Sequence, residues 1–166
     1  MELSIEQALQ HGIAAHKAGK LEEAERLYRA ILQSQPAHPD ANHNLGVIAV
    51  SVDNIELALS LFKIALEANP KIEQFWVSYI DALIKENQFE TAENVLQQGK
   101  KKGLVGEKLN VLEVQLASII KQENVGSLSP SQEQLSKLLE DYQNERYGDA
   151  EKSALSLSTQ FPHHNF

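Results

Sequence analysis

Apolar residues return along this chain at spacings of three and four, the period of helices that each bury one stripe. Leu57, Leu61, Ile64 and Ala65 show that spacing plainly. Short polar breaks interrupt it at Ala18-Gly19-Lys20, Val52-Asp53-Asn54 and Glu86-Asn87-Gln88, where Gly, Asp and Asn tolerate the backbone conformations that end a helix. Pro36 and Pro70 close segments, because a prolyl ring does not continue a helix interior. Ser4, with Gln7 three residues on, is placed for a capping box that opens the first helix. The pattern therefore predicts amphipathic helices in pairs.

The pairs repeat. Gly12, Ala24, Tyr28 and Pro36 recur 34 residues later as Gly46, Ala58, Phe62 and Pro70, and Ala58 recurs as Ala92. Three units follow, 5–38, 39–72 and 73–104, within residues 1–104. Gly46, inside the apolar run from His43 to Val50, is then a small helix residue that permits close packing, and neither a strand bend nor a phosphate loop. The middle unit carries Leu45, Gly46, Ala49, Ala58, Phe62, Ala65 and Pro70. This set resembles the tetratricopeptide repeat family, whose pattern is W-x2-L-G-x2-Y and then A-x3-F and P. Trp76 alone fills the tryptophan slot, and Asn42 stands there in the middle unit. His11 replaces the usual leucine in the first unit, while the third has Trp76, Tyr79, Leu83 and Ala92 without the glycine or the closing proline, and Gly99 takes a small-residue slot. The resemblance implies an all-α fold, a right-handed α-solenoid of antiparallel helix pairs with about nine helices.

Beyond Leu104 the motif residues stop, and the period reads as broken. Within 105–122, a helix is predicted over 107–122 by Leu109, Leu112, Leu116, Ile119 and Ile120, covering the third unit. Residues 123–130 read as a linker, with Ser129 as cap and Pro130 as first residue of the next helix. Residues 131–162 read as a divergent fourth helix pair that turns near Glu145 to Gly148 and carries Ala150, Ala154 and Pro162; residues 163–166 match the start of a further repeat. Ala154, Leu155 and Leu157 would be partly uncovered there, so the chain is expected to be the amino-terminal piece of a longer protein. Self-association through the solenoid end is the competing expectation.

Composition narrows the function classes. A formal charge of -8 and a pI near 5.2 repel phosphates, which argues against nucleic acid as partner. The start MELSIEQALQ lacks the basic flank and apolar core of a secretory signal, and no run approaches the length of a membrane span, so no membrane partner and a cytoplasmic location are expected. Zero cysteines remove disulfides, thiolate metal sites and cysteine nucleophiles. His11 and His16 are five apart, as are His38 and His43, whereas two ligands on one helical face need three or four; no metal site is expected. QQGKKKGLVGEK lacks the preceding strand and the GK[ST] ending of a phosphate loop, and Lys100, Lys101 and Lys102 read as compensation for a helix carboxyl end. Without a nucleophile-base-acid constellation or a cofactor motif, this chain is not expected to be an enzyme itself.

What remains is a surface. The resemblance implies a concave groove lined by the first helix of each unit, at the positions the repeat motif leaves free. These are Leu9, Gln10, Ile13 and His16, then His43, Asn44, Val47 and Val50, then Val77, Ser78, Asp81 and Ile84. Apolar anchors among amide and imidazole groups suit an extended peptide or a protein segment, whose backbone the amides satisfy. Leu9, His43 and Val77 fill slots where a chaperone-type carboxylate clamp would need cations, while Asn44 stands where peptide-reading O-GlcNAc transferases place an asparagine ladder, with Gln10 and Ser78 in the matching slots. The expected function is a non-catalytic protein-interaction scaffold. The alternative is a substrate-recruiting module of a larger bacterial glycosyltransferase, sulfotransferase or methyltransferase.

Overall fold

In a computed structural model that describes residues 3–127 and 130–161, nine helices and no strand occur among the described residues. They are α1 (Ile5–Lys17), α2 (Leu21–Ser34), α3 (Pro39–Ser51), α4 (Ile55–Ala68), α5 (Glu73–Lys85), α6 (Phe89–Lys101), α7 (Glu107–Ser127), α8 (Gln132–Gln143) and α9 (Tyr147–Gln160). The chain divides into two compact units, Met1–Leu116 and Ala117–Phe166.

In the first unit α1 packs on α2, α3 on α4 and α5 on α6, and each pair packs on the next, which makes a helical solenoid. The three polar breaks are the three intra-pair turns. Their middle residues, Gly19, Asp53 and Asn87, have φ of +75°, +59° and +55°, the left-handed region in which Gly, Asp and Asn are tolerated. Ser4 caps α1 with the expected capping box to Gln7. Leu57, Leu61 and Ala65 face inward, but Ile64 lies at the edge of the stripe and is exposed.

Close approach explains the recurring glycine. A Cβ at Gly12 would lie 2.6 Å from Tyr28 Cε1, and one at Gly46 would lie 2.6 Å from Phe62 Cε1. The third unit inverts the volumes in these slots, with Ile80 for the glycine and Leu96 for the aromatic ring, both fully buried. A second slot pair is also matched: Gly99 leaves room for Trp76, whose Cε3 would be 3.1 Å from an added Cβ. Tyr28 is wholly buried and its hydroxyl has no hydrogen-bond partner among the described residues; burial pushes its pKa up to about 12.

The 34-residue period does not break at Leu104. Helices α1, α3, α5 and α7 begin at Ile5, Pro39, Glu73 and Glu107, each 34 residues after the last, so α7 stands in phase as a fourth first-helix. It was hidden because Asn110 and Val114 occupy the tryptophan and glycine slots. Leu109, Leu112 and Leu116 are buried, as the spacing predicts. Lys100, read as a dipole-compensating cation, bonds to Glu113 of α7 and so ties α6 to it. The helix also runs through 123–127, which the sequence reading gave to a linker.

In the second unit α8 packs on α9. The cap of α8 is Ser131, with a capping box to Gln134, so Pro130 precedes the cap and is not the first helical residue; Ser129 lies outside the described residues, as do Pro162 and 163–166. A serine followed by glutamine three residues later satisfies two amide donors at once, which favours Ser131 as the cap. The turn centres on Glu145, at φ +59°. Ala150 is buried, and Leu155 is exposed as expected, but Leu157 is only 5% exposed, because it stands four residues from the half-buried Ser153 on the face of α9 that meets α8.

Candidate functional site

The repeat fixes how the free positions of α1, α3 and α5 stand: residues 34 apart sit at the same height and angle on successive helices. Ile13 and Val47 form one such column, continued by Asp81, and His16 and Val50 form another, continued by Ile84. Ile13, His16, His43, Asn44, Val47, Val50, Val77, Ser78 and Asp81 are half-buried and Gln10 is exposed. Leu9 and Ile84 are buried, Leu9 in the cluster with Ala8, Leu45 and Ile48, so these two offer a ligand little surface. Ile13 packs on that cluster from its edge, as Val47 and Val50 pack on the one around Phe62, so these three side chains serve core and surface together.

The centre of this face is His43. Its ring lies over Phe75, with centroids 4.9 Å apart and planes at 34°, and beside Phe62 at 5.6 Å. His43 Nε2 shares a hydrogen bond of 2.9 Å with Ser78 Oγ, so two sequence-predicted residues from neighbouring first-helices meet. Ser78 Oγ also accepts from Gln74 Nε2 at 3.2 Å, and Gln74 Oε1 accepts from Lys108 Nζ at 3.1 Å. A polar chain thus crosses α3, α5 and α7. Sequence reasoning missed Phe75, Gln74 and Lys108; the signal for the last two was their own 34-residue separation. Asp81 pairs with Lys85 at 3.0 Å along α5.

Burial holds the His43 imidazole below its ordinary pKa, and the His16 ring pushes the same way, while the Asp40 carboxylate and the Asn44 side chain oppose it. The unfolded chain therefore binds this proton more readily than the folded one. The stability tied to neutral His43 is fully present above the ordinary imidazole pKa of about 6.5 and is lost as pH falls below it. Urea unfolding from pH 7.5 down to about 5.5 is expected to show a steeper loss for the wild type than for His43→Gln; equal slopes would remove His43 as the cause.

Among the described residues no three His, Asp or Glu side chains converge as a metal site would need, and no helix is long and apolar enough to cross a membrane. The chemistry this face offers is hydrogen bonding and apolar contact along a row.

Residues 9–71 match the family model described as tetratricopeptide repeat. No curated protein matches the sequence. Among solved structures, the chain is similar to the TPR domain of Sgt2 from Aspergillus fumigatus, with 19% identity and a TM-score of 0.67 over 76% of this chain and 85% of that one. It is similar to a mutant of the Thermobaculum terrenum O-GlcNAc transferase at 24% identity and TM-score 0.54, over 61% of this chain but only 20% of the transferase. It is similar as well to the Yersinia enterocolitica type III secretion chaperone SycD in complex with a peptide of the translocator YopD, at 16% identity and TM-score 0.59, over 74% and 93% of the two chains. At these identities the likeness speaks for the fold.

Proposed function

We propose, from the premise that this chain carries tetratricopeptide repeats, that it is a non-catalytic scaffold which takes peptide or protein segments along the row of first-helices. The observation that carries the reading is the regular display of accessible apolar and polar side chains: half-buried Ile13, Val47 and Val50 supply contact area, and exposed Gln10 with half-buried Asn44 and Ser78 supply donors and acceptors. A bound backbone needs both, because its N–H and C=O groups lose water on docking. SycD, a structural neighbour, was solved with a peptide of its translocator, which agrees with this kind of partner.

The test is a change on that face. Asn44→Ala with Val47→Glu removes an amide and buries a charge in any docked complex, so captured partners are expected to fall by at least about tenfold while helical content is kept. Undiminished capture by the folded variant would overturn the assignment. A second reading, a substrate-recruiting module of a larger transferase, draws on the similarity to the O-GlcNAc transferase; a reading frame that continues into a catalytic domain would favour it.

A further inference from the structure

The α8–α9 pair can be aligned in sequence with the helix pairs α1–α2, α3–α4 and α5–α6 through its turn. The left-handed residues Gly19, Asp53, Asn87 and Glu145 mark the same point in four helix pairs. Counting back three residues gives His16, Val50, Ile84 and then Tyr142; counting back six gives Ile13, Val47, Asp81 and then Leu139. Within their own helix pair Leu139 and Tyr142 therefore hold the sequence positions, relative to the turn, that the candidate groove residues hold in the other pairs, although nothing in the sequence motif marks them.

They differ from their counterparts in exposure. Leu139 is 55% exposed and Tyr142 is 63% exposed, whereas Ile84 is 8% exposed. Tyr147, at the start of α9, is 58% exposed, and its ring meets that of Tyr142 edge to face with centroids 5.7 Å apart. Two phenol rings and a leucine thus stand largely in water on one small helix pair. Arg146, the nearest basic residue in sequence, is held by Asp141 at 2.7 Å and Glu140 at 3.9 Å.

Charge selects the occupant. Residues 131–161 carry six carboxylates against three basic side chains, and with Arg146 engaged by two of the acids, Glu133, Glu145, Asp149 and Glu151 outnumber Lys137 and Lys152. A second copy of a chain with net charge -8 is repelled. A cation with an apolar neighbour is attracted twice, by the carboxylates and by the negative faces of the tyrosine rings.

We propose that Leu139, Tyr142 and Tyr147 form a docking surface for a basic peptide segment, with an arginine side chain stacked on the tyrosines and an apolar residue against Leu139. The choice of face rests on the groove reading for α1, α3 and α5, but the ligand chemistry is separate and so is the test. The probe is a short fluorescent peptide of alternating Arg and Leu, titrated with the full chain and read by anisotropy. Tyr142→Leu with Tyr147→Leu keeps apolar area and removes the rings, and is expected to weaken binding about tenfold. Tyr142→Phe with Tyr147→Phe keeps the affinity. A Glu-Leu peptide does not bind.

Replacing arginine by citrulline in the peptide leaves the protein untouched and is expected to weaken binding by a similar factor, which keeps the test sound if the leucine variant fails to fold. Equal binding of the citrulline or Glu-Leu peptide, or an unchanged affinity in the folded leucine variant, overturns the proposal. If Asn44→Ala weakens the Arg-Leu peptide while the tyrosine variant does not, the peptide sits on the first unit; the α8–α9 assignment then fails and the groove reading stands.

Discussion

Gly46→Ile is expected to destabilise the first unit by about 3 kcal/mol or more, because the new side chain must enter space that Phe62 already fills. Even the Cβ would lie 2.6 Å from Phe62 Cε1 and 2.7 Å from Cδ1, inside van der Waals contact. Removing a helix glycine gains about 1 kcal/mol at most, so overpacking wins. Phe62→Leu alone opens a cavity and costs about 1–2 kcal/mol. The third unit holds Ile80 and Leu96 in these two slots, fully buried, so the combination is compatible with the repeat. The double variant Gly46→Ile, Phe62→Leu is therefore expected to recover about 2 kcal/mol of the summed single costs. Urea unfolding of the four proteins in a double-mutant cycle gives the coupling directly, and a coupling near zero would sink the idea that the slots exchange volume.

That pairing also shows what was legible in the sequence. The turns at Gly19, Asp53 and Asn87 could be placed to the residue, since each break needs a side chain that accepts positive φ and each holds one. The glycine could be read as a packing residue because its partner, Tyr28 or Phe62, recurred with it. The third unit looked defective by the same reasoning, although Ile80 and Leu96 fill the space equally well; complementarity belongs to a pair in space, and a motif names one residue at a time. The phase of α7 was missed for this reason, with Asn110 and Val114 in the marker slots. On the candidate face, periodicity could say which positions point away from the partner helix of the same pair. It could not say that Leu9 and Ile84 are buried, since Leu9 joins a cluster with Leu45 and Ile48 of the next first-helix and that contact is set by how successive units stack.

Asn42 is where the sequence departs from the tryptophan slot, and its replacement carries the second large expected effect. The side chain is 1% exposed, and its Nδ2 donates to the carbonyls of Pro36 and His38, each at 2.9 Å. In the next unit Trp76 Nε1 donates to the Pro70 carbonyl at 2.9 Å, so the slot requires a donor aimed at the proline that closes the preceding unit, and either residue type supplies one. Asn42→Ala leaves the Pro36 carbonyl without this partner and opens a small void, at a cost of about 2–3 kcal/mol. Asn42→Asp keeps the shape and replaces the donor with an acceptor that faces two carbonyl oxygens. A buried carboxylate there cannot ionise without repulsion, so its folded pKa is raised above the unfolded value of about 3.9. The penalty is then smallest below that value, where the protonated acid can still donate, and grows as pH rises through the folded pKa. Relative to wild type at the same pH, Asn42→Asp is expected to cost about 4 kcal/mol at pH 7 and clearly less at about pH 4. A cost that stays constant between the two pH values would show that the slot is filled by shape and not by its donor.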